Sequence, residues 1–132
     1  MKRIVTILAV LLLAACSHKQ PAPGTYTYAS ETGTREITII HGDCVAFNFY
    51  DDGGQPVCSA GPFEKKGRWP QYVYTFKKGS SDFKITARFT KDGRLEAKLY
   101  GQIVSGPNTF HAESPTWLPF SANFQQTKNG SN

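Results

Sequence analysis

The chain has 132 residues, 39% of them hydrophobic, and fifteen Lys and Arg against ten Asp and Glu leave a formal net charge of +5. That length suffices for one domain with a modest core. The basic residues are scattered (Lys65, Lys66, Arg68, Lys77, Lys78, Lys84, Arg88) rather than gathered in a run, which argues against a nucleic-acid partner.

The N-terminus falls into three zones. Lys2 and Arg3 form a positive stretch, Ile4 to Leu13 an apolar run, and Ala14-Ala15 a small-residue exit. This is the build of a secretory signal, and the apolar run is too short to cross about 30 Å of hydrocarbon as a helix. The sequence Leu13-Ala14-Ala15-Cys16 resembles the lipobox of bacterial lipoproteins, a resemblance that covers residues 1–17. It implies that the Cys16 sulfur receives a diacylglyceryl group, that the chain is cut before Cys16, and that the freed amine is acylated. One acyl chain gives only marginal attachment, but three, at roughly 0.8 kcal/mol per buried methylene, hold a protein essentially permanently. In enteric-type bacteria an Asp after the lipidated cysteine tends to retain a lipoprotein in the inner membrane. Ser17 stands there instead, so the resemblance implies the outer membrane, on its periplasmic face.

Cleavage would delete Lys2 and Arg3 and lower the formal charge from +5 to +3. Residues 17–24, SHKQPAPG, hold two prolines and no apolar periodicity and read as a tether. Extended as polyproline II at roughly 3.1 Å per residue, such a tether reaches about 25 Å. His18 and Lys19 within it are expected to be solvated or near lipid head groups. The expected organisation is therefore a signal peptide over 1–15, a lipidated tether over 16–24, a single β domain over 25–124 and a polar tail over 125–132.

After the tether, apolar and polar residues alternate with period two between turn signals, and no helix period appears. The alternation predicts strands over 25–29, 34–40, 44–50, 63–68, 71–77, 82–90, 94–103, 108–112 and 118–124. Ile37 and Ile39 can face Phe47 and Val45 across His41-Gly42-Asp43. Tyr72, Tyr74 and Phe76 face Ala87, Ile85 and Phe83 across Lys78-Gly79-Ser80-Ser81, with Lys77 beside Asp82. In the next hairpin a two-residue turn at Asp92-Gly93 would set Phe89 opposite Glu96, which puts a charge on the apolar face. A loop of Lys91-Asp92-Gly93 sets Phe89 opposite Leu95 and gives Gly93 the left-handed position of a type I turn with a G1 bulge. Strands without helices must bury one face, so the fold class is all-β. We expect a small antiparallel meander barrel that resembles calycins in shape, with a two-layer β-sandwich as the alternative.

With Cys16 lipidated, two thiols remain, Cys44 and Cys58, and in an oxidising periplasm a pair is expected to form a disulfide. Closing a loop of about fifteen residues is worth roughly 3 kcal/mol. The bridge strains the meander, because continuing through Asp51-Asp52-Gly53-Gly54 places Cys58 opposite Phe47, on the face away from Cys44. A bridge needs Cα atoms within about 7 Å. Residues 55–62, QPVCSAGP, are therefore expected to leave regular pairing, as Pro56 and Pro62 suggest.

The sequence holds no nucleophile elbow and no Gly-rich phosphate loop before a helix. His111 and Glu113 share one side of a strand, two members of a catalytic triad without a third. His41 and Asp43 fall short of the three or four ligands a metal site uses, and Asp51-Asp52-Gly53-Gly54 lacks the acidic spacing of a calcium loop. Neither catalysis nor a metal or cofactor is expected. The aromatic residues Trp69, Tyr72, Tyr74, Trp117 and Phe120 stand near Pro70, Pro115 and Pro119. Those in the proline-rich segments, Trp69, Tyr72 and Trp117, are candidate anchors of a binding surface. The function expected is a lipid-anchored envelope module that binds a protein or another envelope component, as part of an assembly or as an inhibitor or exclusion factor. A carrier of a small apolar ligand inside the barrel is the alternative.

Overall fold

The computed structural model describes residues 24–31, 33–40 and 44–122, with the side chains of Ile40 and Cys44 outside that description. Residues 16–23 of the expected tether, Cys16 among them, the His41-Gly42-Asp43 loop and the polar tail lie outside the described residues, whereas Gly24 already belongs to a strand. Every regular element among the described residues is a strand: β1 (Gly24–Ser30), β2 (Gly33–Ile40), β3 (Cys44–Tyr50), β4 (Pro56–Ala60), β5 (Glu64–Arg68), β6 (Gln71–Lys78), β7 (Ser81–Phe89), β8 (Leu95–Ser105), β9 (Asn108–Glu113) and β10 (Leu118–Ala122). They form one antiparallel sheet in the order β4-β3-β2-β1-β10-β8-β7-β6-β5, with β9 also on β8, curled into a half-barrel. The barrel-like, all-β expectation holds.

Period two explains the curl. Along β7 every second residue, from Ser81 through Phe83, Ile85 and Ala87 to Phe89, is buried, while Asp82 and Lys84 are exposed. The hairpin registers follow as expected: Phe89 pairs with Leu95, Tyr74 with Ile85, Phe76 with Phe83, Lys77 with Asp82, and Ile37 with Phe47. Gly93 takes φ +80°, the left-handed position of its turn, and its N–H donates to the Thr90 carbonyl at 3.0 Å. Gly101 is fixed for a different reason. It lies opposite Phe83 with φ +116°, and a Cβ there would collide with the Asp82 carbonyl oxygen.

The concave side is packed with rings. Phe83 meets Phe47 at 5.1 Å, Phe110 at 6.0 Å and Phe63 at 6.3 Å between centroids, and Phe47 meets Phe110 at 5.4 Å. The buried polar residue in the core, Ser81, accepts the Val104 N–H on its Oγ at 2.9 Å, so its hydroxyl is not left without a partner.

β8 changes partner midway. Its first residues pair with β10, Leu95 with Phe120 and Ala97 with Leu118, and its last with β9, from Tyr100 with Glu113 to Ser105 with Asn108. Ser114 stitches the junction. Its Oγ accepts the Leu99 N–H at 2.6 Å, and its own N–H donates to the Leu99 carbonyl at 3.0 Å. The segment from Ser114 to Trp117 thus leaves β9 and returns along the same strand as β10.

Two expectations are corrected here. Residues 56–60 do not leave regular pairing but form β4, with a bulge between Phe49 and Tyr50 that absorbs Pro56 at the edge of the sheet. That register sets Cys58 opposite Phe49, whereas Cys44 pairs with Ile40 at the other end of β3. From Cys44 to Phe49 the strand advances about 17 Å at about 3.3 Å per residue, far beyond the roughly 7 Å a bridge allows. The expected Cys44–Cys58 disulfide is not formed. Cys58 is a free thiol, 2% exposed within the core, and burial pushes its pKa up. It should therefore resist iodoacetamide in the folded protein and alkylate after denaturation without reductant, as peptide mass spectrometry would show. Recovery of Cys58 bridged to Cys44 would overturn the register.

Candidate functional site

The convex face of β6 to β9 carries the most chemically distinctive surface. Its outward positions fall in rows across the strands: Arg88 beside Glu96, Thr86 beside Lys98, Lys84 beside Tyr100, and Asp82 beside Gln102. Tyr100 is 61% exposed, the largest exposure of any large hydrophobic residue described. The Lys84 ammonium stands 6.0 Å from the centre of its ring. Beyond it, exposed His111 and Glu113 on β9 line a shallow open cleft with Tyr100, Lys84 and Lys77.

Trp117 joins this face from the junction after β9. The Arg88 guanidinium lies 4.0 Å from the centre of its ring system and the Lys98 ammonium 4.9 Å. Arg88 is held in turn by Glu96, Nε to Oε1 at 2.9 Å. Each such cation–π contact is worth about 0.5–1 kcal/mol at an exposed site, and an ion pair that keeps contact with solvent, as this half-buried one does, about 1 kcal/mol. Together they fix the indole over the strands rather than sink it. Trp117 is half-buried and stands outside the core cluster.

The three aromatic residues singled out from the sequence are not brought together. Tyr72 is a correction: it is 7% exposed, faces inward opposite Ala87, and belongs to the core. Trp69 is half-buried at the end of the sheet, stacked on Phe89 at 5.2 Å and tilted against Tyr72 at 6.3 Å. Only Trp117 lies on the convex face. Tyr74 and Phe120, also in the aromatic group, are 1% exposed and are core.

Two neighbours of Trp117 are not evident from the sequence. Alternation sets Lys98 and Arg88 outward, but nothing local says that Trp117 comes to rest between them. The expected turn at Asp51 is present. Its Oδ1 accepts the N–H groups of Gly53 at 3.0 Å and Gln55 at 2.9 Å, so the carboxylate closes its own loop. Among the described residues no three His, Cys, Asp or Glu side chains come close enough together to hold a metal. No family model matches the chain, and neither a curated protein nor a solved structure is significantly similar to it.

Proposed function

We propose that the protein is a lipid-anchored, non-enzymatic module of the outer membrane that binds a protein of the cell envelope through the convex face of β6 to β9. The observation that carries this reading is Tyr100, 61% exposed on a strand whose other outward positions are polar except Val104, with the half-buried Trp117 along the same face. Exposed aromatic residues ringed by mobile charges are the usual anchors of protein recognition. The ring of cations, Lys84, Arg88 and Lys98, favours an acidic partner surface, which makes the cationic lysozymes a poor match. Membrane attachment through Cys16 rests on the lipobox resemblance and supplies the envelope setting.

The carrier alternative requires room inside the barrel. Tyr74, Phe47, Phe83 and Phe120 are each no more than 1% exposed and fill the concave side with side chains, as a narrow barrel is expected to be filled. Capture from detergent-solubilised envelope with the lipidated protein, read by mass spectrometry, tests the choice. A stoichiometric protein partner supports the binding module, and a co-purifying lipid without protein overturns it. Trp117→Ala together with Tyr100→Ala should abolish capture while the melting temperature stays within a few degrees of the wild type, as surface substitutions shift stability by about 0.5 kcal/mol.

A further inference from the structure

A second site lies on the concave side, independent of the convex face. Arg35 stands on β2 two residues before the fully buried Ile37, on the same inward side, directly opposite Tyr28 on β1 and Phe49 on β3. Its guanidinium carbon is 5.8 Å from the centres of both those rings and 5.4 Å from that of Phe110, which reaches in from β9. Beside it β10 pairs with β1 at Tyr26 and Thr27, and among the described residues Tyr28 to Ser30 have no ladder partner on that side, although the Phe120 ring of β10 stands 5.6 Å from that of Tyr28.

Three rings contact the charge, yet among the described residues no carboxylate or carbonyl pairs with it. Arg35 makes no ion pair or hydrogen bond with any described residue, and its Nε is buried without an acceptor. The nearest carboxylate along the strand, Glu36, faces the other way and accepts hydrogen bonds from Asn48 and Thr38. Ring faces compensate part of the lost hydration of a guanidinium, but its buried Nε–H still lacks an acceptor among the described residues. A partly desolvated guanidinium with that donor free is suited to meet a planar anion. The surrounding rings add an apolar wall.

We infer that Arg35, with Tyr28, Phe49 and Phe110, forms a binding site for a carboxylate attached to an apolar group. The fork pairs with both carboxylate oxygens while the apolar portion packs against Phe49 and Phe110. A free organic acid and an acidic side chain of a bound protein present the same carboxylate to it.

Two probes separate these sources: sodium benzoate, and a blocked Phe-Glu-Phe tripeptide, each titrated into the full-length protein in neutral detergent and followed by NMR. At least one should give saturable shifts of the Arg35 Nε–H and the Phe110 ring. The probe that does so identifies the source, while benzamide and a Phe-Gln-Phe peptide should bind about ten- to a hundredfold more weakly. Arg35→Met keeps the stem and removes the fork, and Arg35→Lys keeps the charge without the fork. Both should lose the response while melting no lower than the wild type by more than a few degrees. No saturable shift with either acid, or equal binding by Arg35→Met, overturns the site. Since Trp117→Ala leaves Arg35 untouched, failure of the convex face as a binding surface and failure of this site are separately visible.

Discussion

Replacing Cys16 with alanine is expected to leave the whole population as uncut precursor, retaining Lys2, Arg3 and the apolar run of Ile4 to Leu13. The lipobox resemblance makes the sulfur the acceptor of the first lipid, and in that family cleavage follows acylation. Without the thiol neither step proceeds. The effect is all-or-none, because no other residue near the junction offers a thiol: the next cysteine is Cys44. The measurement is gel mobility and intact mass of protein extracted from the envelope, with wild type alongside. Wild type should begin at Cys16 and carry three acyl chains. A mature N-terminus at any other residue, or an unmodified Cys16, would sink the anchoring proposal and with it the outer-membrane assignment.

The proposed anchoring has a geometric consequence for the Arg35 site. β1 begins at Gly24, and Tyr28, opposite Arg35, lies four residues on. At about 3.3 Å per residue that is about 13 Å along the strand. With lipid on Cys16 as proposed, a tether of up to about 25 Å would leave room for Arg35 to stand clear of the head groups.

Much of the fold could be read directly, and the reason is local. A hairpin's register depends on its loop length and on which residues must share a face, both visible within twenty residues. That is why placing Phe89 opposite Leu95 demanded the loop Lys91-Asp92-Gly93, and why it is found. β4 was missed because Pro56 reads as a strand breaker, yet a proline is tolerated as the first residue of an edge strand. The pairing of β4 with β3 sets Cys58 opposite Phe49 rather than Phe47, still farther along β3 from Cys44. The regular pairing of this segment, which the bridge needed it to leave, undoes a cysteine pairing argued from compartment chemistry alone.

The candidate sites were less legible because each joins strands distant in the chain. Tyr72 was misassigned although its own pairing with Ala87 already set it on the buried face; proximity to Pro70 outweighed the alternation. Trp117 lies outside any strand, so period two has no say in its placement, and its neighbours Arg88 and Lys98 are fixed only by where β8 exchanges β10 for β9. Arg35 shares its side with Ile37 and Ile39, an inward charge that the alternation exposes plainly. What the sequence does not show is that Phe110 arrives over it with no carboxylate alongside among the described residues.

Phe83→Ala is expected to have the largest effect on stability of any single truncation in the domain. The ring is 1% exposed and touches Phe47, Phe63 and Phe110, which come from β3, the β4–β5 connection and β9, so it joins both halves of the curled sheet. The site cannot collapse to fill the void. Its cross-strand neighbours are Phe76 and Gly101, and Gly101 is held against the Asp82 carbonyl with no side chain to move inward. Removing a buried Phe costs about 3–5 kcal/mol, set against a total stability of about 5–15 kcal/mol for a domain of this kind. At about 4–8 °C per kcal/mol, the melting temperature should fall by more than about 12 °C. The comparison with Trp117→Ala is the informative part, since both substitutions remove a large aromatic ring from the same sheet. A protein whose fold and contact surface are divided as described loses stability with Phe83 and partner capture with Trp117. Equal losses of melting temperature in the two variants would place Trp117 in the core and remove the convex face as the binding surface.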